Sequence, residues 1–146
     1  MTHVRQQIRD AVATTLTGLS ITGSNVFVSR TAPLTSGDLP ALEIFTLKEP
    51  VRTISRERTQ MRDLEVLVDA CVDSSSSTAD DELDDICSEV ETALSASVTI
   101  SAVVVELVLA ETNIELKSEA DPSVAVAHMK YVFTVQTAQG APDVPL

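Results

Sequence analysis

The chain has 146 residues, 44% of them hydrophobic, which is the size and apolar content of one compact domain. Its 22 acidic residues against 10 lysines and arginines give a formal net charge of -12, which disfavours binding to nucleic acid or to an anionic membrane surface. The first residues, MTHVRQQIRDAV, lack the apolar region of a secretory signal, and no window reaches the ~18 apolar residues of a membrane span, so we expect a cytosolic chain.

The first half of the chain predicts one helix and two strands. Residues 2–19 predict an amphipathic helix, because apolar residues recur there at helical spacing. Val26–Val28 predicts a short strand, residues 33–40 a loop, and residues 41–47 a second strand that begins after Pro40. Residues 62–73 predict the clearest strand, since strict alternation gives it one apolar face. That face is formed by Leu64, Val66, Val68, Ala70 and Val72.

The second half predicts a helix, a hairpin and a tail. Thr78 is a suitable N-cap, and a helix follows whose apolar stripe is formed by Leu83, Ile86, Cys87, Val90 and Leu94. Residues 103–114 and 124–135 predict an antiparallel hairpin with a charged turn at 117–122. Residues 138–146 contain glycine and proline and predict an extended or disordered tail.

This order of elements predicts an α+β fold. We expect a mainly antiparallel, mixed sheet with both helices packed on one face, and a projecting hairpin arm between the second and third strands. The domain spans residues 1–137, and residues 138–146 form a flexible C-terminal tail.

Two cysteines make neither a disulfide framework nor a zinc site. In a reducing compartment we expect Cys71 and Cys87 to be unbridged. Because Cys71 points away from the apolar face of its strand, we expect it to be the more exposed of the two.

Residues for catalysis are scarce in the sequence. His3 lies near the N-terminus and His128 within a predicted strand, and neither is marked by a neighbouring nucleophile or base. The sequence contains no G-x-S-x-G, Walker, GxGxxG or HExxH motif. We therefore expect no enzymatic activity and no cofactor.

Carboxylates suggest a metal site only weakly. Asp63, Glu65 and Asp69 share one face of a strand, but residues two and four positions apart on a strand are separated by ~7–13 Å, too far for one ion. A second cluster of acidic residues lies at the start of the second predicted helix. It lacks the glycine of a calcium loop, so it indicates a solvated helix face. It consists of Asp80, Asp81, Glu82, Asp84 and Asp85. We expect no bound metal.

Five of the ten cations fall between residues 48 and 62: Lys48, Arg52, Arg56, Arg58 and Arg62. One interpretation is a solvated hairpin that keeps a sheet edge soluble. The other is a positive arm on an acidic body, which pairs with copies of the same chain head to side and closes a ring. Nucleic acid is a weaker alternative for this arm, because the chain is only 3% aromatic and offers no stacking platform.

Six segments in order resemble one protein family. They are V-R-Q-Q-I-R-D-A-V-A, N-V-F-V-S-R, L-P-A-L-E-I-F-T, T-I-S-R-E-R-T-Q, D-L-E-V-L-V-D-A and D-D-E-L-D-D-I-C-S-E-V-E-T-A-L, within residues 4–135. Together they resemble the tail terminator, or tail completion, proteins of long-tailed bacteriophages, the minor tail protein U type.

The resemblance implies a structural virion protein that forms a hexameric ring, caps the tail tube, stops its growth and joins the tail to the head connector. It implies three partners: further copies of the chain, the tail-tube protein and a head–tail connector or neck protein. DNA would only pass through the ring lumen, and the protein would reside at the head-proximal end of the tail after assembly in the host cytoplasm.

The same resemblance implies that the arm takes part in ring contacts. We therefore take as interface candidates the five cations of the arm: Lys48, Arg52, Arg56, Arg58 and Arg62. One alternative is a head-side joining protein of the neck, and another is a small carboxylate-dependent metal-binding protein or hydrolase.

Overall fold

The computed structural model describes residues 2–117 and 122–146. Its described residues form helices α1 (Val4–Leu16), α2 (Ala79–Ala96) and α3 (Val98–Ser101). The strands are β1 (Val26–Val28), β2 (Ala41–Thr46), β3 (Val51–Thr53), β4 (Thr59–Asp73), β5 (Glu106–Glu115) and β6 (Val124–Ala138). No helix among these residues is both long and apolar enough to cross a membrane.

The strands form one mixed sheet in the order β1-β2-β4-β6-β5, and β3 pairs with β4 beyond the end of β2. The pair β1–β2 is parallel, whereas β2–β4, β3–β4, β4–β6 and β5–β6 are antiparallel. The centre of the sheet is the full-length pairing of β4 with β6, which runs from Thr59 opposite Ala138 to Asp73 opposite Val124. The predicted α+β class is confirmed.

Alternation in β4 and helical periodicity in α1 and α2 build the main core. Leu64, Val66 and Val68 are buried on the sheet face that both helices cover, as predicted. The helices bury one apolar stripe each against this face: Val4, Ile8, Val12 and Leu16 from α1, and Leu83, Ile86, Val90 and Leu94 from α2. Each such side chain contributes about 1.5–3 kcal/mol when fully buried. We call the opposite side of the sheet the open face.

Residues 103–105 are not part of β5, although their β-branched side chains predicted a strand. The chain first forms α3, where the Ser97 side chain accepts a hydrogen bond from the Ile100 N–H and Ile100 is buried. The N–H groups of Val103 and Val104 then donate to the Ile100 carbonyl at 3.0 and 3.1 Å, which holds these two residues in a turn after α3 despite their β propensity. Residues 118–121, in the charged turn predicted at 117–122, lie outside the described residues.

The C-terminal tail contradicts the prediction of an extended or disordered segment. It turns at Gly140, which has a φ of 80°, and folds back over the start of α1. The carbonyl of Pro142 accepts a hydrogen bond of 2.8 Å from the Val4 N–H, and the Leu146 N–H donates to Gln136 at 2.9 Å. The first N–H groups of a helix have no partner within it, and the tail supplies one.

The predicted arm is present as the β3–β4 hairpin, but it projects less than expected. The first residues of β4 pair with β3 on one side and with β6 on the other. Only the turn at residues 54–58 extends past β3, with Arg58 at a φ of 62° and its N–H bonded to the Ser55 carbonyl. The hairpin is therefore a corner of the sheet.

The two cysteines are free thiols that lie in separate clusters, Cys87 under the helices and Cys71 on the open face. Cys71 is 1% exposed and Cys87 is 8% exposed, so the prediction that Cys71 is the more exposed is wrong. A second, smaller apolar cluster covers Cys71, formed with Leu34, Leu39, Val124 and Val126.

Candidate assembly interface

The structure leaves four of the five interface candidates exposed: Lys48, Arg52, Arg56 and Arg58. Arg52 donates to the Asp63 carboxylate at 2.6 Å, and the Lys48 ammonium lies 3.9 Å from Glu65. Arg58 donates to the Gln139 side chain at 3.3 Å. Arg56 has no ion pair with any residue in the described part of the chain. Such exposed charges cost little to redirect toward a partner.

Arg62 is the exception, because it is buried within the chain. Its guanidinium donates to Glu49 at 2.8 Å, to Thr137 at 2.9 Å and to Gln60 at 3.0 Å. Arg5 of α1 lies 3.6 Å from the same Glu49 carboxylate. Arg62 thus joins the hairpin to β6 and α1 and is unavailable to a partner. The sequence did carry a signal, since residue 62 shares its parity with the core-facing residues of β4.

The edge of the sheet that the hairpin forms also exposes apolar residues. Leu47, Val51 and Ile54 are exposed beside the four cations. We call residues 47–58 the basic edge. The four exposed cations outnumber the two glutamates of this segment, Glu49 and Glu57. An edge that combines unpaired backbone, apolar side chains and an excess of positive charge is suited to contact with another chain.

The opposite edge of the sheet is formed by β5, which pairs with β6 and with no other strand among the described residues. It carries three glutamates and no cation: Glu106, Glu111 and Glu115. A bulge between Leu109 and Glu111 shifts the register, so that all three glutamates lie on the open face. The exposed apolar residues of this side are Val105, Val108, Ile114 and Leu116. We call residues 105–116 the acidic edge.

The open face holds a pair of polar residues whose contact the sequence pattern does not predict. The β4–β6 register places Asp69 opposite His128, and the Asp69 carboxylate lies 2.6 Å from the imidazole Nδ1. The Nε2 atom of His128 lies 3.7 Å from the Glu115 carboxylate. Burial raises the pKa of Asp69, although the imidazole opposes this shift, and burial also raises the pKa of Glu43 nearby.

This pair borders a pocket of about 320 Å³ beneath residues 30–34, but the pocket holds no activated nucleophile. The Cys71 thiol is buried, and burial raises the pKa of that thiol, so it stays protonated at neutral pH. Its sulfur donates a weak hydrogen bond to Glu43 at 3.7 Å. The geometry supports a structural pairing of Asp69 with His128.

The three carboxylates considered for a metal each have a partner within the chain. Asp63 accepts from Arg52 and Thr134, Glu65 lies 3.3 Å from the Lys130 ammonium, and Asp69 faces His128. Among residues 2–117 and 122–146, no three His, Cys, Asp or Glu side chains are grouped closely enough to hold a metal ion.

Similarity to known proteins is found among solved structures. No protein-family model matches the chain, and no curated protein matches it. A solved chain described as part of the virion of a native gene transfer agent particle is similar, with 16% sequence identity, 92% coverage of each chain and a TM-score of 0.43. A TM-score of this size establishes neither a shared fold nor a shared function.

Proposed function

We propose that this chain is a structural virion protein of a long-tailed bacteriophage, which forms a hexameric ring that caps the tail tube and ends its growth. The other face of the ring would meet the head-side connector or neck protein, and DNA would pass through the lumen. The resemblance of six segments to tail terminator proteins suggests this role. The observation that carries it is the opposite charge of two opposite sheet edges.

The two edges are complementary in the face that their charges occupy and in their apolar exposure. Lys48 and Arg52 of the basic edge pair with carboxylates of the open face, and the glutamates of the acidic edge lie on that same face. Both edges expose apolar side chains. Contact between unlike edges of two copies is heterologous, so an open assembly has one free edge at each end until it closes as a ring. Contact between like edges is opposed by charge repulsion.

A non-enzymatic role agrees with the chemistry of the open face. Asp69 and His128 are partners of each other, and the nearby thiol of Cys71 is buried and protonated. A general base needs a proton to abstract within hydrogen-bond reach, and no side chain in this pocket is placed as an activated nucleophile.

Two measurements on the purified protein test the proposal. Native mass spectrometry with negative-stain electron microscopy, over rising protein concentration, should show closed hexameric rings. Added to polymerising tail-tube protein of its phage, the chain should shorten the tubes and decorate one end. A chain that stays monomeric at every concentration and leaves tube length unchanged would contradict the proposal. Rings that bind only the head-side connector would instead identify a neck protein.

A further inference from the structure

A groove of about 380 Å³ opens where α2, α3 and the start of β5 meet. It lies on the helix side of the acidic edge and belongs neither to the open-face pocket nor to the Arg62 cluster. The residues that matter for its chemistry are Glu91, Leu94, Ile100, Leu107 and Tyr131. The groove therefore has apolar walls and one carboxyl-bearing residue, Glu91, in its lining on the helix side.

The phenol hydroxyl of Tyr131 is an unsatisfied polar group in this groove. Tyr131 is 3% exposed, and its hydroxyl has no hydrogen-bond partner among the described residues. Burial, with a smaller contribution from the Glu91 carboxylate, raises the pKa of this phenol, so it keeps its proton and remains a donor. Buried hydroxyls without a partner are uncommon, and a carbonyl from an inserted chain would satisfy this one.

The charged and apolar residues around the groove indicate which kind of segment can bind in it. Val105 lines it and is 57% exposed. Glu91 is exposed and has no ion pair among the residues described. The groove is thus suited to a short segment with an apolar residue at its tip and cations beside it.

The turn of the basic edge has this composition. Ile54 is 44% exposed, and the exposed Arg56 and Arg58 follow within the same turn on either side of Glu57. The turn and the groove lie at the same end of the sheet, since Thr59 pairs opposite the last residue of β6 and Glu106 pairs opposite Thr134. They are on opposite edges, three strand spacings or ~14 Å apart, so the turn of a second copy is the natural occupant.

We propose that the turn at residues 54–58 of one copy docks in the α2–α3–β5 groove of a second copy of this chain. Ile54 enters between the apolar walls, a backbone carbonyl of the turn accepts from Tyr131, and Arg56 faces Glu91. This inference rests on the proposed ring and deepens it by naming both halves of the subunit contact. It uses apolar burial for affinity and charge for the choice of partner surface.

Cysteine cross-linking tests the contact directly, because both native cysteines are buried and contribute no surface thiol. Single variants Ile54→Cys and Val105→Cys, mixed and mildly oxidised, should give a covalent dimer. The double variant should give a ladder that ends at the ring size. Val28→Cys, at a 40% exposed position on β1, is the matched control in place of Val105→Cys and should give no ladder.

Charge reversal supplies a second, independent measurement. Arg56→Glu in the Ile54→Cys partner should lower the yield of cross-linked dimer about tenfold or more, and Glu91→Arg in the other partner should restore it. All of these positions are exposed, so thermal melts should confirm that each variant folds.

The outcomes separate this docking from the ring itself. Rings that form without the Ile54–Val105 cross-link overturn the docking and leave the proposed function standing. Monomers at every concentration, with no cross-link, overturn both. Covalent dimers from Ile54→Cys alone, or protection of Val105→Cys from maleimide by tail-tube protein alone, would also overturn the docking, since they assign the turn or the groove to another contact.

Discussion

Val68 lies at the middle of the sheet, opposite Ile44 on β2 and Met129 on β6, and is fully buried beneath the helices. We predict that Val68→Asp unfolds the domain. It places a carboxylate without a partner in the main core, at a cost on the order of 4 kcal/mol or more. Urea unfolding followed by circular dichroism measures this. Val108→Asp, on the exposed edge, is the matched control, and a wild-type midpoint for Val68→Asp would show that the register is wrong.

Asp69 makes the stability of the protein depend on pH. Its pKa is raised from the ordinary value of 3.8, chiefly by burial, so the folded state holds this proton more tightly than the unfolded chain does. The contribution of Asp69 is therefore favourable at low pH and is lost as pH rises from about 3.8 through the raised folded value. Glu43 acts in the same direction.

We predict that Asp69→Asn is progressively stabilised relative to the wild type as pH rises through this window. The amide oxygen can still accept from His128, and no buried charge must form. Urea midpoints measured at a series of pH values give the difference between the two proteins. Asp80→Asn, on the exposed face of α2, is the control. A difference between wild type and Asp69→Asn that does not change with pH would contradict the prediction.

At the scale of single residues, the sequence predicts which face a side chain takes but not what covers it. Alternation placed Asp69 and Cys71 opposite the core of β4 correctly. Their burial depends on the loop containing Leu34 and Leu39 and on a strand pairing with β6 far along the chain. Period-two patterns contain no information on such nonlocal registers.

At the scale of elements, Arg62 is the residue that connects the hairpin, β6 and α1. We predict that Arg62→Met costs about 3–5 kcal/mol, because it leaves the buried Glu49 carboxylate without its nearest partner. The double variant Arg62→Met with Glu49→Met should cost less than the sum of the single variants. A double-mutant cycle in urea measures this coupling.

The surface pair of Arg52 with Asp63 provides the matched control on the same hairpin. Arg52→Met should cost less than about 1 kcal/mol, since this ion pair is exposed and screened. Equal losses from Arg52→Met and Arg62→Met would show that the Arg62 cluster does not hold the hairpin to the domain.

Long periodic elements were predictable, and short elements held by distant partners were not. The helices α1 and α2 and the strand β4 follow from one repeating apolar pattern each. The helix α3 depends on one serine cap, and the C-terminal tail depends on unpaired N–H groups at the start of α1. Local composition in the tail, with its glycine and prolines, gave no indication of that contact.

At the scale of the whole molecule, the net charge of -12 conceals an uneven distribution. The helix α2 carries seven acidic residues and no cation, and β5 carries three glutamates, while the exposed cations collect on the hairpin. The cation cluster was visible in the sequence. Its position across the sheet from β5 was not, because strand order arises from nonlocal pairing. In the proposed ring, this placement makes the charge cluster one half of a heterologous contact.

The charge of the basic edge should therefore control assembly without affecting folding. We predict that the triple variant Arg52→Glu, Arg56→Glu and Arg58→Glu is a folded monomer. It should fold because these side chains are exposed. It should not assemble because the three glutamates would face an acidic edge, which repels them by several kcal/mol. Wild-type assembly should weaken as salt rises toward ~1 M, where the Debye length falls to about 3 Å. Analytical ultracentrifugation and thermal melts measure assembly and folding separately.

Net charge alone could also oppose association, so the triple variant needs a compensated partner. Adding Glu106→Arg and Glu111→Arg on the acidic edge should restore rings, since the edges again carry opposite charges. Adding Asp84→Arg and Asp85→Arg on the outer face of α2 changes the net charge equally and should not restore them. Equal rescue by both pairs would assign the effect to net charge. Rings from the uncompensated triple variant would show instead that the basic edge is only a solvated hairpin.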